Sequence, residues 1–162
     1  MTTDDREPDP GDGPVDLPVV SGGRREARER AVHLLYESGV KSLRVGDVLA
    51  AQPITPDRYA VELATGVEAH RAELDEVIDR LAADWSLDRM PTLDLTVLRV
   101  GAFELAHRSD VPTAVVLAEA TELAGRYGTD DSGRFVNGVL AAAARELRPT
   151  DEAGATDGPG GA

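Results

Sequence analysis

Residues 126–147 read Arg-Tyr-Gly-Thr-Asp-Asp-Ser-Gly-Arg-Phe-Val-Asn-Gly-Val-Leu-Ala-Ala-Ala-Ala-Arg-Glu-Leu, and this stretch decides the fold class. Gly128 stops one helix, and Thr129, Asp130 or Asp131 can cap the open amide groups of the next. Val136, Leu140, Ala143 and Leu147 then recur at helical spacing and form one apolar stripe. Upstream, Leu95, Leu98, Ala102 and Leu105 do the same. No strand-like alternation persists beyond a few residues. The spacing predicts helices over about 24–38, 44–51, 56–85 (with a break near Glu68–Arg71), 92–107, 112–127 and 130–147. Gly39, Pro53, Pro56, Pro91, Pro112, Gly128 and Pro149 are the punctuation. Pro56 and Pro112 suit first-turn positions, where a missing amide hydrogen costs nothing. The expected fold is all-α, a compact bundle of about six or seven helices with alanine-rich, close-packed seams.

The rest of the 162 residues bounds this domain. Residues 1–23 carry four prolines, four glycines and six acids against one arginine; too apolar-poor to offset the ordering entropy, they are expected to be disordered. Residues 150–162 read the same way, which leaves about 24–149 as the folded domain. The net charge of −13 divides as −5 over 1–23, −3 over 151–162 and −5 over 24–150, where 21 acids face 16 bases. Much of the acidity thus lies outside the folding part, and local charge is the better guide to a partner. The absence of cysteine excludes a disulfide framework and a thiolate metal site. The acidic, proline-rich start is the opposite of a signal peptide, and no apolar run approaches the roughly 20 residues that span a bilayer. A soluble, cytoplasmic protein is expected.

Two blocks carry chemistry. The first helix opens Arg24-Arg25-Glu26-Ala27-Arg28-Glu29-Arg30. At about 100° per residue, Ala27, Ala31, Leu34 and Leu35 gather on the core side, while Val32 and Tyr36 fall roughly 110–150° away, in line with Arg25 and near Arg28. This second, mixed face is either a solvated helix side with charge pairs or a surface for phosphates and a partner. In the second block, Gly128 and Gly133 imitate a phosphate-binding loop. The residues after them, Arg134 and Phe135, are not the required lysine and hydroxyl, and a helix precedes where a strand is needed. Arg134 points opposite the core stripe. Phe135 and Asn137 lie on its flanks, where periodicity favours half-burial for the ring and an interhelical hydrogen bond for the amide. Catalytic constellations are missing, so neither an enzyme nor a bound cofactor is expected. His33, His70 and His107 are evenly spaced by coincidence. No two of them sit at helical ligand spacing and none has a Glu-His or His-x-x-x-His companion, so no metal site is expected.

Together these residues resemble the NusB family of bacterial transcription antitermination factors. The resemblance covers about 24–148 in separated blocks: Arg28-Glu29-Arg30-Ala31-Val32 with Leu35-Tyr36, Leu98 to Leu105, Asp110-Val111-Pro112, Glu119 to Ala124, and Tyr127 to Leu140. It implies two small helical subdomains, binding of boxA RNA in nascent ribosomal RNA leaders, and pairing with NusE, a small-subunit ribosomal protein, on transcribing RNA polymerase. It also implies Arg24, Arg25, Arg28 and Arg30 as RNA contacts from the first block, and Asp131, Arg134, Phe135 and Asn137 from the second. Tyr36 and Asp94 match positions on the NusE side. His33 stands where glutamine is common and Arg134 where lysine is common; the long acidic extension is unusual. The alternative is a homodimeric interaction module whose RNA surface is covered. NusB-like domains also occur fused to ribosomal RNA methyltransferases, but the segment after Leu147 is expected to be a flexible tail, and no catalytic domain is expected here.

Overall fold

Residues 23–82 and 84–149 are described by a computed structural model of the chain. The readings of the two acidic terminal segments therefore fall outside the described residues. Seven α-helices follow in order: α1 (Gly23–Lys41), α2 (Val45–Ala50), α3 (Arg58–Ala69), α4 (Arg71–Leu81), α5 (Thr92–His107), α6 (Thr113–Tyr127) and α7 (Ser132–Leu147). The only other regular element among the described residues is a 3₁₀ turn at Leu87–Arg89. The break expected near Glu68–Arg71 falls at His70, which ends α3 and starts α4.

Three boundaries differ from the sequence expectation. α1 runs through Gly39 and ends instead at Ser42, whose φ of 54° is left-handed. The Leu43 amide then donates to the Ser38 carbonyl and the Ser42 amide to that of Gly39, so the last carbonyls are satisfied without a glycine at the turn. The long third segment stops at Leu81, short of Trp85. α3 begins one residue after Asp57, whose carboxylate accepts from the Tyr59 amide at 2.8 Å, so Pro56 lies just outside the helix.

α5 is the axis of the fold. It is buried on nearly every side from Asp94 to Leu105, the pattern of a helix enclosed by its neighbours. α1, α2 and α3 pack together on one side of it and α4, α6 and α7 on the other, with one continuous core through both groups. A small satellite of Leu34, Val45, Val48 and Ala64 pins α2. The expected stripes hold: Leu95, Leu98, Ala102 and Leu105 are buried, as are Val136, Leu140 and Ala143, with Leu147 half-buried. Close approach explains Gly101, where a Cβ would come within 2.6 Å of Leu140 Cδ1 across the α5–α7 seam. Arg148, just past α7, donates to the carbonyls of Glu104, Leu105, Arg108 and Val111 and so caps the end of α5.

Candidate nucleic-acid interface

The arginines at the start of α1 leave the helix in different directions, as a 100° step requires. Arg24 reaches Asp110 at 3.0 Å and lies 4.9 Å from the Tyr59 ring centroid. Arg25 turns to α6, where it forks onto Glu119 (2.9 and 3.0 Å) and reaches Glu122 at 3.2 Å. The Glu119 hydrogen bond and charge raise its pKa. Arg30 goes to the other side of the helix and donates to Gln52 Oε1. The four side chains do not make one basic patch.

Arg28 departs from the RNA-contact reading. It is 4 % exposed and forks onto Glu104 at 2.8 and 2.9 Å, while the Tyr59 hydroxyl donates to the same carboxylate at 2.7 Å. Burial works against its charge, but the hydrogen bonds and charge of Glu104 outweigh this and raise its pKa. Burial, then Glu104, likewise pushes the Tyr59 hydroxyl up. Val32, placed on the mixed face by periodicity, is also buried. The reason is that α1 packs against both α3 and α5, so its buried arc is wider than one stripe. Only the outer edge of that face stays open, at Arg25, Glu29, His33 and Tyr36.

Along this edge α1 and α6 meet through long side chains. Arg126 of α6 reaches Glu29 at 3.4 Å and Glu122 at 2.8 Å, and the Tyr127 hydroxyl donates to Glu29. His33 meets the Tyr127 ring edge-on at 5.4 Å. The Tyr127 pKa is raised, first by its bond to Glu29 and then by burial. Arg126 and Tyr127, which join Glu29 and His33 along this edge, are not among the residues expected from the sequence. Their signal was the i, i+3, i+7 spacing of Glu119, Glu122 and Arg126 on one side of α6.

The second block opens α7. Asp131 occupies the N-cap position, but its side chain caps nothing. Ser132 does the local work instead: its Oγ accepts from the Thr129 amide at 2.9 Å and donates to Asp94 Oδ2 at 3.0 Å. A Cβ at Gly128 would come within 2.4 Å of that Oγ and 2.6 Å of the Ala124 carbonyl, so only glycine permits the turn. Asp94, expected on a partner side, is 3 % exposed beneath this turn. Burial raises its pKa against the opposing bond from Ser132, and its Oδ1 has no hydrogen-bond partner among the described residues. It positions the turn and offers no surface to a protein in this arrangement.

Beyond the turn, Phe135 is half-buried against the core and meets the exposed Trp85 edge-on at 6.5 Å. Asn137 is exposed, and its Oδ1 accepts from Thr121 Oγ1 of α6 at 3.4 Å. Both placements agree with the packing tendencies read from periodicity. Arg134 points outward between them, and no carboxylate of the described residues pairs with it. Tyr36 stands 44 % exposed on the far half of α1, with Val40 and Leu43 also open nearby. The first block thus reaches α6 from α1 through Arg25, and the second reaches it from α7 through Asn137, while Phe135 turns to Trp85.

Comparison with known proteins gives the two blocks a context. The model described as the NusB family matches residues 25–145. The chain is 47 % identical over 123 residues to the transcription antitermination protein NusB of Acidothermus cellulolyticus, covering 74 % of this chain and 85 % of that protein. It is 43 % identical over 124 residues to the protein of the same description from Thermobifida fusca, covering 74 % and 87 %. Among solved structures it resembles T. maritima NusB with a TM-score of 0.72 at 32 % identity, covering 81 % of this chain and 96 % of that one. It also resembles a chain of the antitermination factors NusB and NusE in complex with double-stranded RNA, with a TM-score of 0.68 at 26 % identity, covering 78 % and 98 %.

Proposed function

The chain belongs to the NusB family, and from that premise we propose that it is an RNA-binding transcription antitermination factor that takes up boxA-type RNA of nascent ribosomal RNA together with NusE. It carries out no catalytic step and acts in the cytoplasm, where bacterial transcription runs. The described residues contain no helix long and apolar enough to cross a membrane. The observation that carries the reading is the entrance of α7. Arg134 is exposed and unpaired among the described residues, between a partly open aromatic and an exposed amide.

Each group has a task that suits its chemistry. Arg134 takes a phosphate first, since no carboxylate of the described residues competes for it. Arg25 and Arg126 follow by exchanging carboxylates for phosphates, which makes the exchange sensitive to salt. Phe135 offers what remains of its ring to a base, and Asn137 gives up a long bond to Thr121 for a base edge. Asp131, exposed and capping nothing, offers a carboxylate to a base amino group. Arg24 and Arg30 lie at the margins, and Arg28 supports α1 from within. Tyr36, with Val40 and Leu43, supplies the apolar surface for NusE.

The test is binding of a boxA-type single-stranded RNA and a scrambled control to the full chain, with and without NusE, across a salt series. The proposal expects preference for boxA, strengthened by NusE and weakened by salt. Equal binding of the two RNAs in the presence of NusE refutes it. A stable dimer in light scattering that ignores RNA would instead favour the covered interaction module.

A further inference from the structure

Away from both blocks, two histidines from distant parts of the sequence meet. His70 stands at the junction of α3 and α4, and His107 is the last residue of α5. Their ring centroids lie 4.1 Å apart. Glu73, in the first turn of α4, reaches both, with Oε2 3.2 Å from His70 Nδ1 and Oε1 3.4 Å from His107 Nε2. One ligand atom from each of the three lies within 4.8 Å of the other two. All three side chains are partly open to solvent.

We infer that His70, Glu73 and His107 bind a divalent transition-metal ion of the zinc class. Two imidazole nitrogens and one carboxylate oxygen form a donor set of the kind zinc takes. Bonds of about 2.0–2.2 Å in a tetrahedron place ligand atoms roughly 3.3–3.6 Å apart. The two Glu73–histidine separations are close to that span but run to different oxygens, so a small rotation of side chains has to bring one oxygen and the two nitrogens together from within 4.8 Å. The fourth position stays open to water.

The surroundings favour the site. Phe103 lies 5.2 Å from the His107 ring and 6.0 Å from that of His70, and forms a shared floor. It fits because residue 66 is glycine: a Cβ there would stand 2.3 Å from Phe103 Cζ. The neighbouring cations are committed elsewhere, Arg71 to Asp75 and Arg108 to Glu62 and Asp110, so neither neutralises Glu73. A bound ion would tie the α3–α4 junction to the end of α5. Local spacing hides the set, because the second histidine arrives from another helix.

Titration of the chelator-treated full chain with Zn²⁺ by calorimetry, and with Co²⁺ by visible absorption, tests this without reference to RNA. The expected result is one saturable equivalent per chain and a Co²⁺ spectrum of low coordination number. His107→Ala and Glu73→Gln should each weaken binding by at least roughly 10–100-fold, the loss that even outer-shell substitutions produce. These side chains are partly exposed, so circular dichroism should show both variants folded. Absence of saturable uptake overturns the proposal. So does unchanged affinity in a His70→Ala, His107→Ala double variant, which would place the ion on other carboxylates of this acidic chain.

Discussion

At the start of α1, four arginines leave the helix within two turns and each meets a partner, whereas at the start of α7 Arg134 meets none among the described residues. Residues 24–150 hold 21 acids and 16 bases, so pairing is the common fate of an arginine here. Arg44, Arg89 and Arg145 also lack a carboxylate partner among the described residues, but only Arg134 stands between Phe135 and Asn137. Availability to phosphate is therefore set by the acids the fold brings near, and the count of basic residues in a stretch says little about it. The denser block supplies structure and a charge reserve, and the sparser block supplies the open donor.

The sharpest way to break this comparison is to remove a paired arginine and look for an effect on RNA alone. Arg28→Ala leaves Glu104 buried with only the Tyr59 hydroxyl, and should cost about 3–5 kcal/mol of stability. Arg25→Ala, on an exposed pair, should change stability little while weakening RNA binding. Urea denaturation and RNA binding of the folded fraction separate the two. Equal stabilities, or a folded Arg28→Ala that loses as much RNA affinity as Arg25→Ala, would put Arg28 back among the RNA contacts.

The next effect belongs to the α7 entrance. Phe135→Leu keeps an apolar side chain against the core but removes the ring. It should cost about 1–3 kcal/mol of RNA affinity, the value of one stacked base. Unchanged affinity with unchanged stability would return Phe135 to packing against Trp85 alone.

The helices, their stripes and the break at His70 were all legible, because each depends on residues within a few turns of one another. What a helical wheel cannot supply is the number of neighbours. Val32 and Arg28 were misplaced because α1 is flanked by both α3 and α5, and a single-stripe reading allows only one buried side. Asp94, which the family resemblance implied on the NusE side, is likewise enclosed by an element distant in sequence: the α6–α7 turn folds over it and Ser132 donates to one of its oxygens. In the site, residue types in both blocks were readable and the pairing of the first was not, since Arg25, Glu119 and Glu122 come from helices far apart in sequence.

Arg134→Gln tests the open donor directly. A single-strand contact contributes about 0.7 to the slope of log affinity against log salt, so the variant should flatten that slope by about this amount. Arg30→Gln, at the margin beside Gln52, should leave the slope nearly unchanged. Similar flattening in both would mean that the α7 entrance holds no privileged charge.

The smallest expected change is a gain, and it probes the masked side of the comparison. Glu119 holds Arg25 by two bonds and Glu122 by one contact, so Glu119→Gln should release more of the arginine than Glu122→Gln. Removing either carboxylate also removes repulsion toward an incoming phosphate. RNA affinity should rise at low salt, within the modest range of a single exposed ion pair, and the gain should fade as salt screens it. The two substitutions should lose their benefit in an Arg25→Ala background, because the released charge is then absent. A gain that survives there would mean the acids act by general repulsion. A loss of affinity would mean the ion pairs hold α1 and α6 in the geometry that RNA requires, and the pairing would then be part of the site and not its mask.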